Sequence, residues 1–287
     1  MHQRASTIKD IAQATIHTEA LEPGDPFFTD FSGLRGRFKE YVLYRTLGVD
    51  PADFSFDYAS NRNVRKLVFL AGMRGAGKST ELRRYMQELE NPKGYFCVFC
   101  SIDTELDSPY LEYVDILIYQ MEKLIDKLWS NGIRIEDELV KSMNDWFQER
   151  IRELNTLLGN ETLALEVNQQ VNWMRLLEVL KWIRSVVFSG SLEQAGKIRM
   201  TFNNRFPDFV NRFNEFVAQI SQTLRDRGIA QDILFLIDGL EKTQTSAARR
   251  RVIIDESNRI SLIRANMLFT LPIDMMQDIK KSGKVPR

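Results

Sequence analysis

The chain has 287 residues, 44% of them hydrophobic and 27% charged, which fits a folded protein with a sizeable core and excludes a fibrous or disordered one. Lys plus Arg and Asp plus Glu both number 39, so no global charge draws the chain towards nucleic acid or an anionic membrane, and Arg249-Arg250-Arg251 is the one compact basic cluster. No apolar run approaches the roughly 20 residues needed to cross a bilayer, and residues 1–22 lack the apolar stretch of a secretory signal, so the expectation is a cytoplasmic protein without membrane association.

Residues 1–66 read as a leader of loops and short helices, broken at Pro23, Gly24 and Pro26, with a helix over 38–47. Leu67 to Ala71 is a short apolar run ending in a glycine-rich loop, the pattern of a buried strand, and a helix is predicted over 79–90. A second buried strand follows over 95–102. The pattern then turns helical. Ser108-Pro109 supplies an N-cap and a first-turn proline, and Asn131-Gly132 ends that helix. Further helices are predicted over 135–157 and 161–188. Phe206, Phe209, Val210, Phe213, Phe216, Val217, Ile220 and Leu224 form a stripe at helical spacing, which reads as core and not as a ligand box. Ile233 to Ile237 is a third buried strand ending at Asp238, a helix covers 245–264, and 266–271 is a fourth strand stopped by Pro272. The organisation is therefore a leader (1–66), an α/β core (67–105 and 230–275), a helical insertion (106–229) and a polar tail (276–287), with a mostly parallel sheet.

Two cysteines, Cys97 and Cys100, stand in a C-x-x-C spacing inside the second strand. Positions three apart on a strand face opposite sides, and the only histidines are His2 and His17. Two reduced core cysteines are expected, with no metal.

Gly72-Met73-Arg74-Gly75-Ala76-Gly77-Lys78-Ser79 matches G-x-x-x-x-G-K-S between a strand and a helix. Each part has a physical task. The glycines let backbone N–H groups close around phosphate oxygens, and the helix beginning at the loop turns its positive end on the same anion. Lys78 would reach the β- and γ-phosphates, and the Ser79 hydroxyl would ligate Mg²⁺. Thr80, in the first helical turn, completes the stretch expected against the nucleotide.

Such a site needs an acidic residue at the end of a second strand. Asp238, in Leu236-Ile237-Asp238-Gly239-Leu240-Glu241-Lys242, and Asp255-Glu256, after Val252-Ile253-Ile254, compete for that role. Asp238 is preferred, because its apolar run is longer and Gly239 suits a tight exit; Asp255 and Glu256 read as part of a helix. Glu241 is the candidate to polarise or deprotonate an attacking water, and an exposed loop acid is its alternative. Thr270, ending the fourth strand, would sense a γ-phosphate or fill a strand position. Arg259 and Arg264 are candidates for an arginine finger, within the chain or towards a neighbouring subunit, with plain surface positions as the alternative.

Gly72–Ser79 together with Ile233–Lys242 resembles the AAA+ and STAND group of P-loop ATPases, of the bacterial, additional-strand and catalytic-Glu type. There the second motif often reads as an apolar strand followed by Asp-Gly-Leu-Asp or Asp-Gly-Leu-Glu. The Thr270-Leu271-Pro272 ending is similar to that group's sensor strand. The resemblance implies a P-loop NTPase sheet in order 5-1-4-3-2, or the same order lacking strand 5. It also implies ATP with Mg²⁺, Asp238 as metal holder and Glu241 as catalytic acid. The sequence ends soon after the fourth strand, where the group continues into a fifth strand and a small lid, so completion by a partner or a longer chain is expected. The functional expectation is an ATPase switch or assembly component, a homo-oligomer or one that meets a partner through the helical insertion. Membership of the group suggests phage defence. A non-hydrolysing nucleotide-binding scaffold, a P-loop kinase and a DNA-dependent motor are the alternatives, the last disfavoured by the zero net charge.

Overall fold

The computed structural model describes residues 25, 39–57, 65–102, 106, 110–158, 173–240 and 245–283. Four apolar runs become strands: β1 (Leu67–Gly72), β2 (Tyr95–Ser101), β3 (Asp232–Asp238) and β4 (Asn266–Pro272). They form one all-parallel sheet in the order β1-β4-β3-β2. Among the described residues this is the expected order without a fifth strand. Parallel strands are covered on both faces, which is why each reads as a continuous apolar run and not as an alternation.

The two faces differ. Helix α1 (Lys78–Leu89) lays Leu82, Tyr85 and Leu89 over Cys97, Leu234, Leu236 and Leu268. A segment of the leader completes this face: it is π-wound over Lys39–Tyr44, α-helical over Arg45–Leu47, and closed by Gly48 at φ 69°. It adds Leu43, Tyr44, Leu47 and Val49 to the same cluster, and the Tyr95 hydroxyl donates to the Leu47 carbonyl at 2.6 Å. On the opposite face Phe96, Val98, Cys100, Phe235, Ile237, Met267 and Phe269 meet the helical layer. Cys97 and Cys100 thus lie on opposite faces, both buried and neither in a disulfide. Burial pushes the Cys97 thiol well above its usual range and keeps it a packing residue.

The helical layer holds α2 (Tyr113–Ser130), α3 (Asp137–Leu158), α4 (Trp173–Ser189), α5 (Leu192–Asn204) and α6 (Phe206–Asp226). The aromatic stripe of α6 is core: Phe209 stacks on Trp146 at 5.3 Å, and Phe213 lies 6.0 Å from Phe235 of β3. One boundary and one helix differ from the sequence reading. Helix α2 starts at Tyr113, because Glu112 and Asp115 form a reciprocal capping box there; Ser108 and Pro109 lie outside the described residues. Helix α5 was not among the predicted elements, although Ser191 and Gln194 make a capping box that the sequence spells out. Residues 159–172, the start of the helix predicted over 161–188, lie outside the described residues.

The helix predicted over 245–264 is broken into three: α7 (Ser246–Arg250), a π-helical stretch (Arg251–Asp255) and α8 (Ser257–Leu262). Val252, Ile253 and Ile254 are all buried in succession. Three consecutive side chains do not fit one stripe of a regular α-helix, and the wider turn accommodates them. The tail also departs from expectation, since α9 (Ile273–Ser282) follows β4 directly and packs Met275 into the core; residues 284–287 lie outside the described residues. No described helix is long and apolar enough to cross a membrane.

Candidate functional site

The loop between β1 and α1 begins at Gly72 and ends at Gly77. Gly75 and Gly77 both have φ of 79°, a left-handed backbone that a side chain would strain. Gly72 serves differently: a Cβ there would meet the Lys78 stem at 3.4 Å, so its absence lets the lysine fold back along the loop. The Lys78 ammonium donates to the carbonyls of Met73 at 2.9 Å and Gly72 at 3.2 Å. Lys78 and Ser79 are buried at the head of α1, with Thr80 half-buried beside them, whereas Met73, Arg74, Gly75 and Ala76 are exposed. The loop is an accessible rim around a buried cation. Because α1 starts inside it, the first helical N–H groups, which have no intrahelical acceptor, and the positive end of the helix dipole are presented there.

Asp238 ends β3 and is 3% exposed; Thr270, in β4, is fully buried. The Thr270 hydroxyl donates to Asp238 Oδ1 at 2.8 Å and accepts from the Gly239 N–H at 3.1 Å. Strand alternation puts both side chains on the α1 face: Leu234, Leu236 and Leu268 belong to the cluster under α1, and Asp238 and Thr270 each stand two residues beyond Leu236 and Leu268 in the same alternation. Pairing of Leu70 with Thr270 and of Gly72 with Pro272 sets the loop just above them, with β4 alone between β1 and β3. The register puts Asp238 level with Thr270 and Leu70, two strand spacings or roughly 10 Å to the side of β1, and Gly72 lies two residues further along. The geometry therefore brings Lys78, Ser79, Asp238 and Thr270 to one end and one face of the sheet.

Other candidates fall elsewhere. Glu241 lies outside the described residues. Arg264 sits before β4, exposed, at the opposite end of that strand from Thr270, six residues away or roughly 20 Å along an extended chain. Arg259 of α8 is turned into the helical layer, donating to Asn203 Oδ1 at 2.5 Å and lying 4.6 Å over the Phe206 ring. In this chain neither arginine lines the loop. Asp255 is exposed on the π-helical stretch. Glu256 accepts from the Tyr113 N–H at 2.9 Å, so it caps α2 and does not end a strand, as its helical reading implied. Burial raises the Glu256 carboxyl above its usual range.

A second polar cluster has no signature in the sequence, because its members are distant in the chain. Arg199 of α5 donates through Nε to both oxygens of Asp115, at 2.9 and 3.2 Å, with both side chains buried. Desolvation pushes the Asp115 carboxyl up to about 7, against the pull of Arg199. Glu112 accepts from Asn203 at 2.7 Å, and Asn203 in turn accepts from Arg259. Glu122, also on α2, receives two hydrogen bonds from Arg184 of α4, at 2.7 and 3.1 Å.

Among the described residues no group of three or more His, Cys, Asp and Glu side chains could hold a metal by itself. The Ser79 hydroxyl and the Asp238 carboxylate do fit a hard divalent ion of the Mg²⁺ kind, which uses one or two protein oxygens and takes its other ligands from water and substrate phosphates. Comparison with protein-family models, with curated proteins and with solved structures returned no match.

Proposed function

We propose that this chain binds a nucleoside triphosphate, ATP with Mg²⁺, at the loop Gly72–Ser79, and hydrolyses it as a nucleotide-driven switch. One observation carries the reading: the G-x-x-x-x-G-K-S stretch folds as a strand-loop-helix turn whose buried Lys78 and Ser79 share a sheet end and face with the buried Asp238.

Each residue then has a task. The loop amides receive phosphate oxygens. Lys78 exchanges two neutral carbonyl acceptors for a phosphate anion, so that bonds charged on the donor side alone become bonds between opposite charges. Ser79 and Asp238 would hold the metal, which when bound neutralises charge on the phosphates. Glu241, three residues past Asp238, is assigned to orient the attacking water. The chain leaves the site through Gly239 and reaches Glu256, whose carboxylate caps α2. That gives a covalent route from the phosphate site to the helical layer.

The test is ATP binding and turnover by the purified chain beside Lys78→Ala and Glu241→Gln. We expect wild type to hydrolyse, Glu241→Gln to bind without turnover, and Lys78→Ala to do neither. Wild-type protein that shows no saturable nucleotide binding sinks the reading. Tight binding without turnover reduces the function to nucleotide-dependent scaffolding.

A further inference from the structure

Thr270 is the polar residue at the heart of an otherwise apolar strand segment, Met267-Leu268-Phe269-Thr270-Leu271, and all five are buried. A buried hydroxyl has to be hydrogen-bonded to avoid a penalty that valine, of the same shape, would not incur. Its partners include Asp238 and the backbone that leaves Asp238. A hydroxyl owns one proton, and here that proton is given to Asp238 Oδ1, so Thr270 does not also donate to a phosphate in this arrangement. Its acceptor side holds the Gly239 N–H, at a residue whose φ of 91° begins the turn out of β3. Thr270 thus fixes two things together: the rotation of the Asp238 carboxylate and the first peptide of the segment leading to Glu241.

Resting on the nucleotide reading above, we propose that Thr270 is a positioning residue. By clamping the Asp238 carboxylate and the Gly239 turn it sets the affinity of the site for Mg²⁺, and it does not sense the γ-phosphate. A hydrogen-bond partner of a metal-holding carboxylate typically changes metal affinity by 10- to 100-fold when removed.

The experiment compares wild type, Thr270→Val and Thr270→Ser, with Thr270→Ala in reserve should the valine variant not fold. Binding of ATP and of ADP is measured without metal and across a Mg²⁺ titration, and exchange of the Gly239 amide is followed on the metal-free protein. In Thr270→Val we expect unchanged metal-free nucleotide binding, roughly tenfold more Mg²⁺ for half-maximal effect with both nucleotides, and faster exchange at Gly239. Thr270→Ser, which keeps the hydroxyl, restores all three. A loss confined to ATP with an unchanged Mg²⁺ requirement makes Thr270 a γ-phosphate sensor and overturns the proposal. So does a serine variant that behaves like valine. Wild-type protein that binds no nucleotide overturns the functional reading itself, a separate and earlier failure.

Discussion

At the loop end of the sheet the buried cation, Lys78, is met by main-chain carbonyls of its own loop. In the helical layer the buried ions are met by ions: Asp115 and Glu122 of α2 by Arg199 of α5 and Arg184 of α4. The difference has consequences. Neutral acceptors can be surrendered to an incoming anion without stranding a charge, so the loop can exchange partners. An ion pair taken out of water cannot be opened without leaving one member uncompensated, so the helical layer is locked to one arrangement. On the reading proposed above, the first region would receive a ligand, whereas the ion pairs of the second hold α2, α4 and α5 in register.

The largest effect should come from breaking the locked side. At pH 8, where the Asp115 carboxyl is ionised, Arg199→Met leaves it buried and unpaired, and denaturant unfolding should show a loss of about 3–5 kcal/mol. A loss under about 1 kcal/mol would mean that the pair is not what registers α5 on α2. The pH dependence sharpens the same point. In the unfolded chain the Asp115 carboxyl titrates near 3.8, and in the fold at about 7. Between those values the folded state keeps a proton that the unfolded state has released, so stability falls as pH rises from about 4 to about 7 and levels off above. The raised Glu256 carboxyl acts in the same direction. Unfolding midpoints should therefore be higher at pH 5 than at pH 8, and that difference should shrink in the double variant Asp115→Asn, Arg199→Met.

Breaking the exchangeable side should do the reverse. Lys78→Ala should abolish nucleotide binding while changing stability by only about 2 kcal/mol, the scale of a net hydrogen bond to a charged group. Gly77→Ala should cost about 1 kcal/mol through its positive φ and weaken binding along with it. The smallest effect belongs to Arg264→Ala, which should leave stability within about 0.5 kcal/mol and turnover unchanged at all protein concentrations. A concentration-dependent loss of turnover in that variant would place the arginine in a neighbouring copy's site.

Much of the candidate site's geometry was legible because its signal is local. Gly72 to Ser79 is contiguous, and the steric demand of each glycine is a property of its own φ. The four strands announced themselves as apolar runs because a parallel sheet buries both faces. Asp238 could be preferred to Asp255 on the length of the run before it. The limits of α2 and α8 were less legible: the capping acid Glu112 competes with the more conventional Ser108-Pro109, and the π-helical stretch depends on how Val252, Ile253 and Ile254 are covered.

By itself the sequence determined the strand-loop-helix turn, the four strands, the core stripe of α6 and the opposite orientation of Cys97 and Cys100, since each follows from short-range periodicity or from backbone sterics. Tertiary structure alone decided that Thr270 gives its proton to Asp238 and that Arg259 turns to Asn203 and Phe206. It also paired Asp115 with Arg199. The reason is physical. Which buried polar group meets which depends on contacts between residues distant in the chain, and their donors and acceptors find partners only once the apolar faces have closed around them.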